Sequence, residues 1–146
     1  MKHFAISVDV TAPPERVWAV MSDVERWPEW TPSVTSITRL DKGPLAAGSR
    51  ARIRQPKLAP ALWKVTSIEQ HSFTWETVGP GIRVIARHAV APIPIGSRAT
   101  LSLEFGGVLG PLIGWLTKGL NNRYLNLEAA GLKRRSEDME RSAPSR

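Results

Sequence analysis

The chain of 146 residues contains no cysteine and three histidines, and these shortages exclude several kinds of chemistry. Without thiols there is no disulfide, no thiolate metal site and no cysteine nucleophile. The histidines are His3, His71 and His88, and their spacing matches no metal-binding helix motif, so we expect no bound metal. Neither a nucleophile elbow nor a glycine-rich phosphate loop occurs, so the sequence predicts no cofactor and nominates no nucleophile.

Long hydrophobic runs are also missing. The most apolar run, residues 108–116, is too short to span a bilayer and contains two glycines and a proline. The N-terminal residues alternate apolar with polar side chains, which is typical of a strand and not of a secretory signal. We therefore expect a cytoplasmic protein with a single domain over residues 1–141 and a flexible tail over residues 142–146.

Acidic residues are outnumbered, and the formal net charge is +7. Residues 33–64 hold seven basic side chains against one acidic side chain. Because Arg50, Arg52 and Arg54 alternate, they share one face of a predicted strand. This face is either a solvated outer surface or, together with Lys57, a surface for an anionic ligand, an acidic partner or a membrane. Nucleic acid is not expected, since no aromatic residue interleaves with the arginines.

The first two thirds of the chain read as strands with short connections. Residues 3–11 predict a strand, followed by a short helix capped by Thr11 or Ala12 and a second short helix that Asp23 caps and Pro28 ends or distorts. Further strands are predicted over residues 34–40, 48–55, 62–68, 72–78, 82–90 and 97–105, with residues 91–96 as a loop. Hairpin-length links favour an antiparallel sheet, and strands followed by a helix indicate the α+β class.

Residues 106–141 predict one long helix. Apolar residues recur there at helical spacing, and Gly110 with Pro111 suits the start. Gly114, Gly119 and Gly131 each cost about 1 kcal/mol of helix propensity relative to alanine. We therefore expect a kink, a close backbone contact or a ligand near these glycines.

Several segments resemble one known superfamily. These are residues 12–18 (APPERVW), residues 23–30 (DVERWPEW) and residues 128–133 (EAAGLK). They are similar to the SRPBCC superfamily, which includes START-like and Bet v 1-like proteins and the polyketide cyclase/dehydrase-type family. The resemblance implies a helix-grip fold, in which a curved antiparallel sheet of about seven strands wraps around a long C-terminal helix. It also implies two short helices after the first strand and a cavity between the sheet and the long helix.

His88 is the most informative ionisable residue. It shares strand parity with apolar neighbours, so it is either a hydrogen-bonded core residue or a cavity group that orients a ligand or acts as acid and base. The large aromatic and aliphatic residues are likewise divided between core packing and cavity lining. The candidate ligand-binding residues are Trp30, Trp63, Trp75, His88, Trp115, Leu116, Leu120 and Tyr124.

Three functions stay open from the sequence. The first is binding of a small hydrophobic or amphipathic molecule, such as a lipid, polyketide-like or aromatic compound, with His88 and Tyr124 setting its orientation. The second is a polyketide cyclase/dehydratase-type enzyme that uses His88 as acid and base, although no second acid or base is evident on the cavity face. The third is an interaction protein that docks through Arg50, Arg52, Arg54 and Lys57. Monomer and homodimer are both compatible with the sequence.

Overall fold

The computed structural model describes residues 2–143 and shows one antiparallel sheet with helices on its inner face. The seven strands are β1 (Lys2–Val10), β2 (Ser36–Arg39), β3 (Arg50–Arg54), β4 (Ala61–Glu69), β5 (Ser72–Gly79), β6 (Ile82–Ile93) and β7 (Gly96–Gly106). The helices are α1 (Pro14–Ser22), a 3-10 helix (Val24–Glu29), α2 (Gly110–Leu116) and α3 (Lys118–Arg141).

The strand order across the sheet is β1-β7-β6-β5-β4-β3-β2, and every neighbouring pair is antiparallel. Helix α3 packs against β1, β7 and α1. The predicted α+β class, the helix-grip arrangement and the two short helices after the first strand are confirmed. None of the helices in residues 2–143 combines the length and apolar character that crossing a membrane requires.

Alternation along the strands separates an inner apolar face from an outer polar face. In β3, Ala51 and Ile53 are buried, whereas Arg50, Arg52 and Arg54 are exposed on the outer face. The prediction that the arginines share one face is therefore correct. What this face contacts in solution stays a prediction.

The prediction of one uninterrupted C-terminal helix is wrong at Thr117, where α2 ends and α3 begins. The Thr117 hydroxyl donates to the Ile113 carbonyl oxygen at 2.7 Å, and the Thr117 amide donates to the same oxygen at 2.9 Å. A threonine bonded back in this way favours a bend in a helix. The first helical residue is Gly110, with Leu109 as its cap, whereas the sequence indicated Gly110 as the cap and Pro111 as the first helical residue.

The prediction of a loop over residues 91–96 is also wrong, because β6 and β7 continue to a turn of two residues, Pro94 and Ile95. Prolines normally argue against a strand. Here β5 pairs with β6 only as far as Ala89, so Pro92 lies where β6 has a neighbour on one side alone. At such a position the missing N–H of proline is tolerated.

Two predicted helix caps are also corrected. Helix α1 begins at Pro14 with Pro13 as its cap residue, and the Thr11 hydroxyl instead donates to Glu137 Oε2 at 2.9 Å. Asp23 makes no capping hydrogen bond at the start of the 3-10 helix, which contains Pro28. Of the tail predicted as flexible, residues 144–146 lie outside the described residues, and α3 ends at Arg141.

Candidate ligand-binding cavity

A cavity of about 670 Å³ lies between the inner face of the sheet and helices α2 and α3. Its walls come from the 3-10 helix, strands β3 to β7 and the inner faces of both C-terminal helices. A volume of this size falls within the range of about 300–1,000 Å³ that small-molecule sites occupy. The layers of this fold therefore enclose enough space for an organic ligand of moderate size.

The sheet side of the cavity is apolar because alternate residues of neighbouring strands point inward. The inward-facing residues of β6 and β7 that line the cavity are Ile82, Val84, Ala86, Leu101, Leu103 and Phe105. Burying ligand surface against such a wall contributes about 25 cal/mol per Å² of apolar area. This wall therefore favours a ligand with an extended hydrophobic body.

One end of the cavity is walled by aromatic rings. Trp75 lies between Trp63 and Trp27, with ring centroids 5.8 and 5.6 Å apart respectively. The Trp27 indole N–H donates to the Met21 carbonyl oxygen at 3.0 Å, so this buried donor is satisfied within the protein. These three rings line the cavity with fixed orientations, which favours flat or aliphatic ligand surfaces over charged ones.

His88 is enclosed by this aromatic wall. Its ring stacks on Phe73 with a centroid distance of 4.4 Å and an interplanar angle of 10°, and the Trp27 centroid is 5.2 Å away. Its Nδ1 atom is buried without a hydrogen-bond partner among the described residues. Burial lowers the pKa of His88 to about 3, although a backbone hydrogen bond with Phe73 acts in the opposite direction. The ring is therefore neutral near pH 7 and is poorly suited to exchange a proton there.

Glu128 supplies the carboxyl group of the cavity wall. It follows Tyr124 by one helical turn and Asn121 by two turns, so all three share the inner face of α3. Burial raises the pKa of Glu128 to about 8, while hydrogen bonding with the Ser33 side chain partly opposes that rise. The side chain keeps some accessible surface, and it borders the cavity. At neutral pH this carboxyl is therefore mostly protonated and can donate a hydrogen bond.

The other polar groups on α3 already have partners. The Tyr124 hydroxyl donates to the Pro56 carbonyl oxygen, which ties α3 to the loop between β3 and β4. Asn121 Nδ2 donates to Thr117 Oγ1 at 2.9 Å, across the junction of α2 and α3. Tyr124 and Asn121 therefore stabilise the walls, and Glu128 and His88 are left as the polar groups best placed to meet a ligand.

The opening of the cavity is marked by residues that line it and yet reach solvent. Leu58, Leu62 and Val78 line the cavity, and 41%, 44% and 69% of their surfaces are exposed. They lie in the loop after β3, in β4 and at the end of β5. Ile113 of α2 borders the same space. The mouth is therefore formed by the β3–β4 loop, the β5–β6 turn and α2.

The structure brings together half of the predicted ligand-binding residues. Trp63, Trp75, His88 and Tyr124 line the cavity. Trp30 is buried outside the lining, with 5% of its surface exposed, and Leu120 is partly buried outside it. Trp115 and Leu116 point to solvent, with 55% and 64% exposed. They therefore lie on the solvent side of this segment and not on the side that lines the cavity. Which side chains contact a ligand stays a prediction.

Sequence reasoning missed Trp27 and Glu128. Trp27 lies in the DVERWPEW segment, but which of its tryptophans faces the cavity depends on how the 3-10 helix packs. Glu128 carried a usable signal, since it stands four residues after Tyr124 and therefore on the same helix face. Within residues 2–143, no group of three His, Asp or Glu side chains is arranged to hold a metal ion.

Comparison with known proteins identifies the relatives of this architecture. The family model described as "Polyketide cyclase / dehydrase and lipid transport" matches residues 1–137. A START superfamily protein from Mycobacterium smegmatis is similar in structure, with a TM-score of 0.75, 19% identity and coverage of 94% of this chain and 98% of that chain. The protein XoxI from Bacillus cereus has a TM-score of 0.74 at 16% identity, covering 96% of this chain and 99% of that one.

A third similar structure is the di-domain ARO/CYC BexL from the BE-7585A biosynthetic pathway. Its TM-score is 0.70 at 14% identity, and the match covers 98% of this chain and 51% of that chain. No curated protein sequence matches the chain significantly. At these identities the likeness to solved structures concerns the fold alone.

Proposed function

Since the chain belongs to the polyketide cyclase/dehydrase and lipid transport family, we propose that its cavity binds one small hydrophobic or amphipathic molecule. The single observation that supports this function best is the apolar cavity of about 670 Å³, with one partly buried carboxyl on its wall. The apolar wall supplies affinity, and the carboxyl supplies orientation.

The protonation state of Glu128 narrows the ligand class. A neutral carboxyl donates one hydrogen bond, so it is best matched by a ligand carbonyl or hydroxyl oxygen. A ligand carboxylate held next to Glu128 would raise the pKa of both groups, because like charges in one site repel. We therefore expect a lipid, polyketide-like or aromatic compound that carries a neutral oxygen and no carboxylate near α3.

The first test is native mass spectrometry of the freshly purified protein. We expect a reproducible extra mass that disappears on mild denaturation. In the Ala86→Phe variant we expect the extra mass to fall about tenfold or more, because the new ring occupies the cavity next to His88.

Arg87→Phe is the matched control, because Arg87 follows Ala86 on β6 and faces outward. This variant should keep the extra mass, and both variants should unfold cooperatively. A clean unliganded mass, together with no stabilisation by a panel of lipids and polyketide-like aromatics, would refute ligand binding. Equal loss of the extra mass in both variants would show that the substitutions destabilise the protein and do not act by filling the cavity.

A second candidate function is acid/base catalysis on the bound molecule, and Glu128 is the observation that favours it. A carboxyl with a pKa of about 8 exchanges its proton near neutral pH, which the buried His88 does not. The residue proposed for proton transfer therefore moves from His88 to Glu128. Tyr124 is a weaker candidate, because its hydroxyl is bonded to the Pro56 carbonyl oxygen.

A fluorogenic β-hydroxyketone, whose retro-aldol cleavage releases a naphthaldehyde, tests this second function. The Glu128 carboxylate would take the hydroxyl proton as the carbon–carbon bond breaks to give the aldehyde and an enolate, and the enolate would take that proton back from Glu128 to become the ketone. We expect a rate that rises with pH and falls about 100-fold in Glu128→Gln, a typical contribution of one acid/base group. Cleavage no faster than in the Ala86→Phe variant would leave ligand binding as the function and exclude this chemistry.

A further inference from the structure

A set of large apolar side chains is exposed beside the cavity mouth. We call this set the α2 patch: Val108, Leu109, Leu112, Trp115 and Leu116, which are 92%, 42%, 53%, 55% and 64% exposed. Residues 112, 115 and 116 share one helix face at steps of three and four. Exposed apolar residues that cluster in this way mark an interaction surface, whereas single ones need no explanation.

The α2 patch borders the route into the cavity. Ile113 and Thr117 of the same segment line the cavity, while the patch residues point away from it. Leu109 packs close to Gly81 in the β5–β6 turn, and its amide donates to the Gly81 carbonyl oxygen at 2.7 Å. Whatever covers the α2 patch therefore also meets the cavity mouth.

Two long stretches that include residues of the mouth contain no acidic residue. Residues 42–68 and 105–127 hold no Asp or Glu, and their basic side chains are Lys42, Arg50, Arg52, Arg54, Lys57, Lys64, Lys118 and Arg123. Glu76, on the strand beyond β4, is occupied by an ion pair with Arg83. Lys57 adjoins the mouth residue Leu58, and the Lys118 ammonium lies 5.8 Å from the Trp115 ring centroid. This combination complements a surface that is apolar inside and negatively charged outside.

We propose that the α2 patch and the basic residues beside the mouth dock on an anionic lipid bilayer, with the mouth of the cavity facing the membrane. Leu112 and Leu116 enter the acyl boundary, Trp115 lies at the headgroup level, and Lys57 and Lys118 contact anionic headgroups. Tryptophan and lysine have these preferences at membrane interfaces. Docking of this kind allows a hydrophobic molecule to move between bilayer and cavity without crossing water.

A second copy of the chain is a poorer occupant. A symmetric contact through the α2 patch would bring the basic residues of two copies together, and like charges facing each other oppose association. A bilayer with anionic lipids satisfies both the apolar and the charged parts of the surface. Each basic residue near such a surface adds to binding, and added salt weakens it.

The test is co-sedimentation of the full chain with vesicles of phosphatidylcholine alone and with an equal mixture of phosphatidylcholine and phosphatidylglycerol. We expect binding to the mixed vesicles to be at least about tenfold stronger and to weaken as salt is raised. Leu112→Asp combined with Leu116→Asp should lower it by about tenfold or more.

Ile95→Asp is the matched control, because Ile95 is 60% exposed in the β6–β7 turn, at the opposite end of β6 from Gly81. It should bind vesicles as the unchanged protein does. The cavity-filling variant Ala86→Phe should also bind them, so docking is measured separately from the proposed ligand function. Circular dichroism establishes that each variant is folded.

Four results with vesicles or in solution would overturn the proposal, and a fifth would come from an acidic polymer. They are no preference for the anionic vesicles, no effect of the aspartates at positions 112 and 116, equal loss in Ile95→Asp, and dimers in solution that the aspartates dissociate. The last result would assign the α2 patch to a second copy. Binding of polyglutamate that the aspartates abolish, without binding to vesicles, would instead assign the surface to an acidic protein.

Discussion

Replacing Gly131 with alanine is expected to lower the free energy of unfolding by about 2 to 4 kcal/mol. A Cβ at this position would clash with the Trp30 carbonyl oxygen and would lie 3.0 Å from the Trp30 ring. A backbone carbonyl cannot turn aside as a flexible side chain can, so α3 would have to move away from the residue that follows the 3-10 helix. Denaturant unfolding followed by circular dichroism measures the change.

Gly119 offers the matched control on the same helix. A Cβ there meets nothing within 4 Å, so Gly119→Ala should raise stability by up to about 1 kcal/mol through helix propensity. Opposite signs for two identical substitutions would identify contact with Trp30 as the reason for Gly131. If Gly131→Ala were neutral or stabilising, α3 would not approach Trp30 as closely as described. The close contact with Trp30 also explains why position 131 of the helix holds a glycine, although glycine lowers helix propensity.

The second large effect concerns the pH dependence of stability and its origin in Glu128. In the folded protein the pKa of Glu128 is raised from 4.5 to about 8. Between these values the folded state holds a proton that the unfolded state has released, so stability falls as pH rises. The stabilisation is complete below about pH 4.5 and is lost once the pH exceeds about 8. The whole span corresponds to about 5 kcal/mol.

Glu128→Gln isolates this effect, because glutamine has nearly the same shape and carries no titrating proton. We expect the wild type to be less stable than the variant already at about pH 6.5, and the difference to widen by about 2 kcal/mol by about pH 9. Starting at pH 6.5 also keeps the measurement away from His88, whose pKa is lowered from 6.5 to about 3 in the fold. The measurement is denaturant unfolding at a series of pH values.

Glu69→Gln is the comparison for this experiment, since Glu69 is an exposed carboxylate at the end of β4. The free energy of unfolding of this variant, plotted against pH, should run parallel to that of the wild type. Parallel profiles for wild type and Glu128→Gln would mean that Glu128 is solvated and ionised at neutral pH. The proposed orientation of a ligand oxygen by a neutral carboxyl would then fail, while cavity binding itself would be judged by mass spectrometry.

The positions of most strands could be predicted from local pattern alone. Alternation identified β1, β4, β5 and most of β6 to within a few residues, because a half-buried strand must alternate wherever it pairs. The alternating arginines of β3 were placed on one shared face for the same reason, and that face is the outer one. The motifs around the first two helices and at the end of α3 carried enough information to identify the family.

The wrong predictions concern residues whose conformation depends on neighbours that are distant in the sequence. Pro92 was read as a loop residue, because the sequence does not tell that β5 has already ended beside it. The single predicted helix joined the apolar residues of α2 to those of α3, although α2 ends and α3 begins at Thr117. Leu116 was therefore assigned to the cavity although it is exposed, and the cavity-lining face of α3 carries Asn121, Tyr124 and Glu128.

The sequence by itself determined the class of fold, the order of its elements and which side of each strand is apolar, because these follow from local periodicity and turn chemistry. Only the tertiary structure decided that a space remains between sheet and helix, since periodicity assigns faces and says nothing of the distance between layers. The tertiary structure also decided the protonation states of the ionisable groups that line the cavity. The pKa of Glu128 and of His88 depends on how much water the surrounding elements exclude, and those elements come from remote parts of the chain.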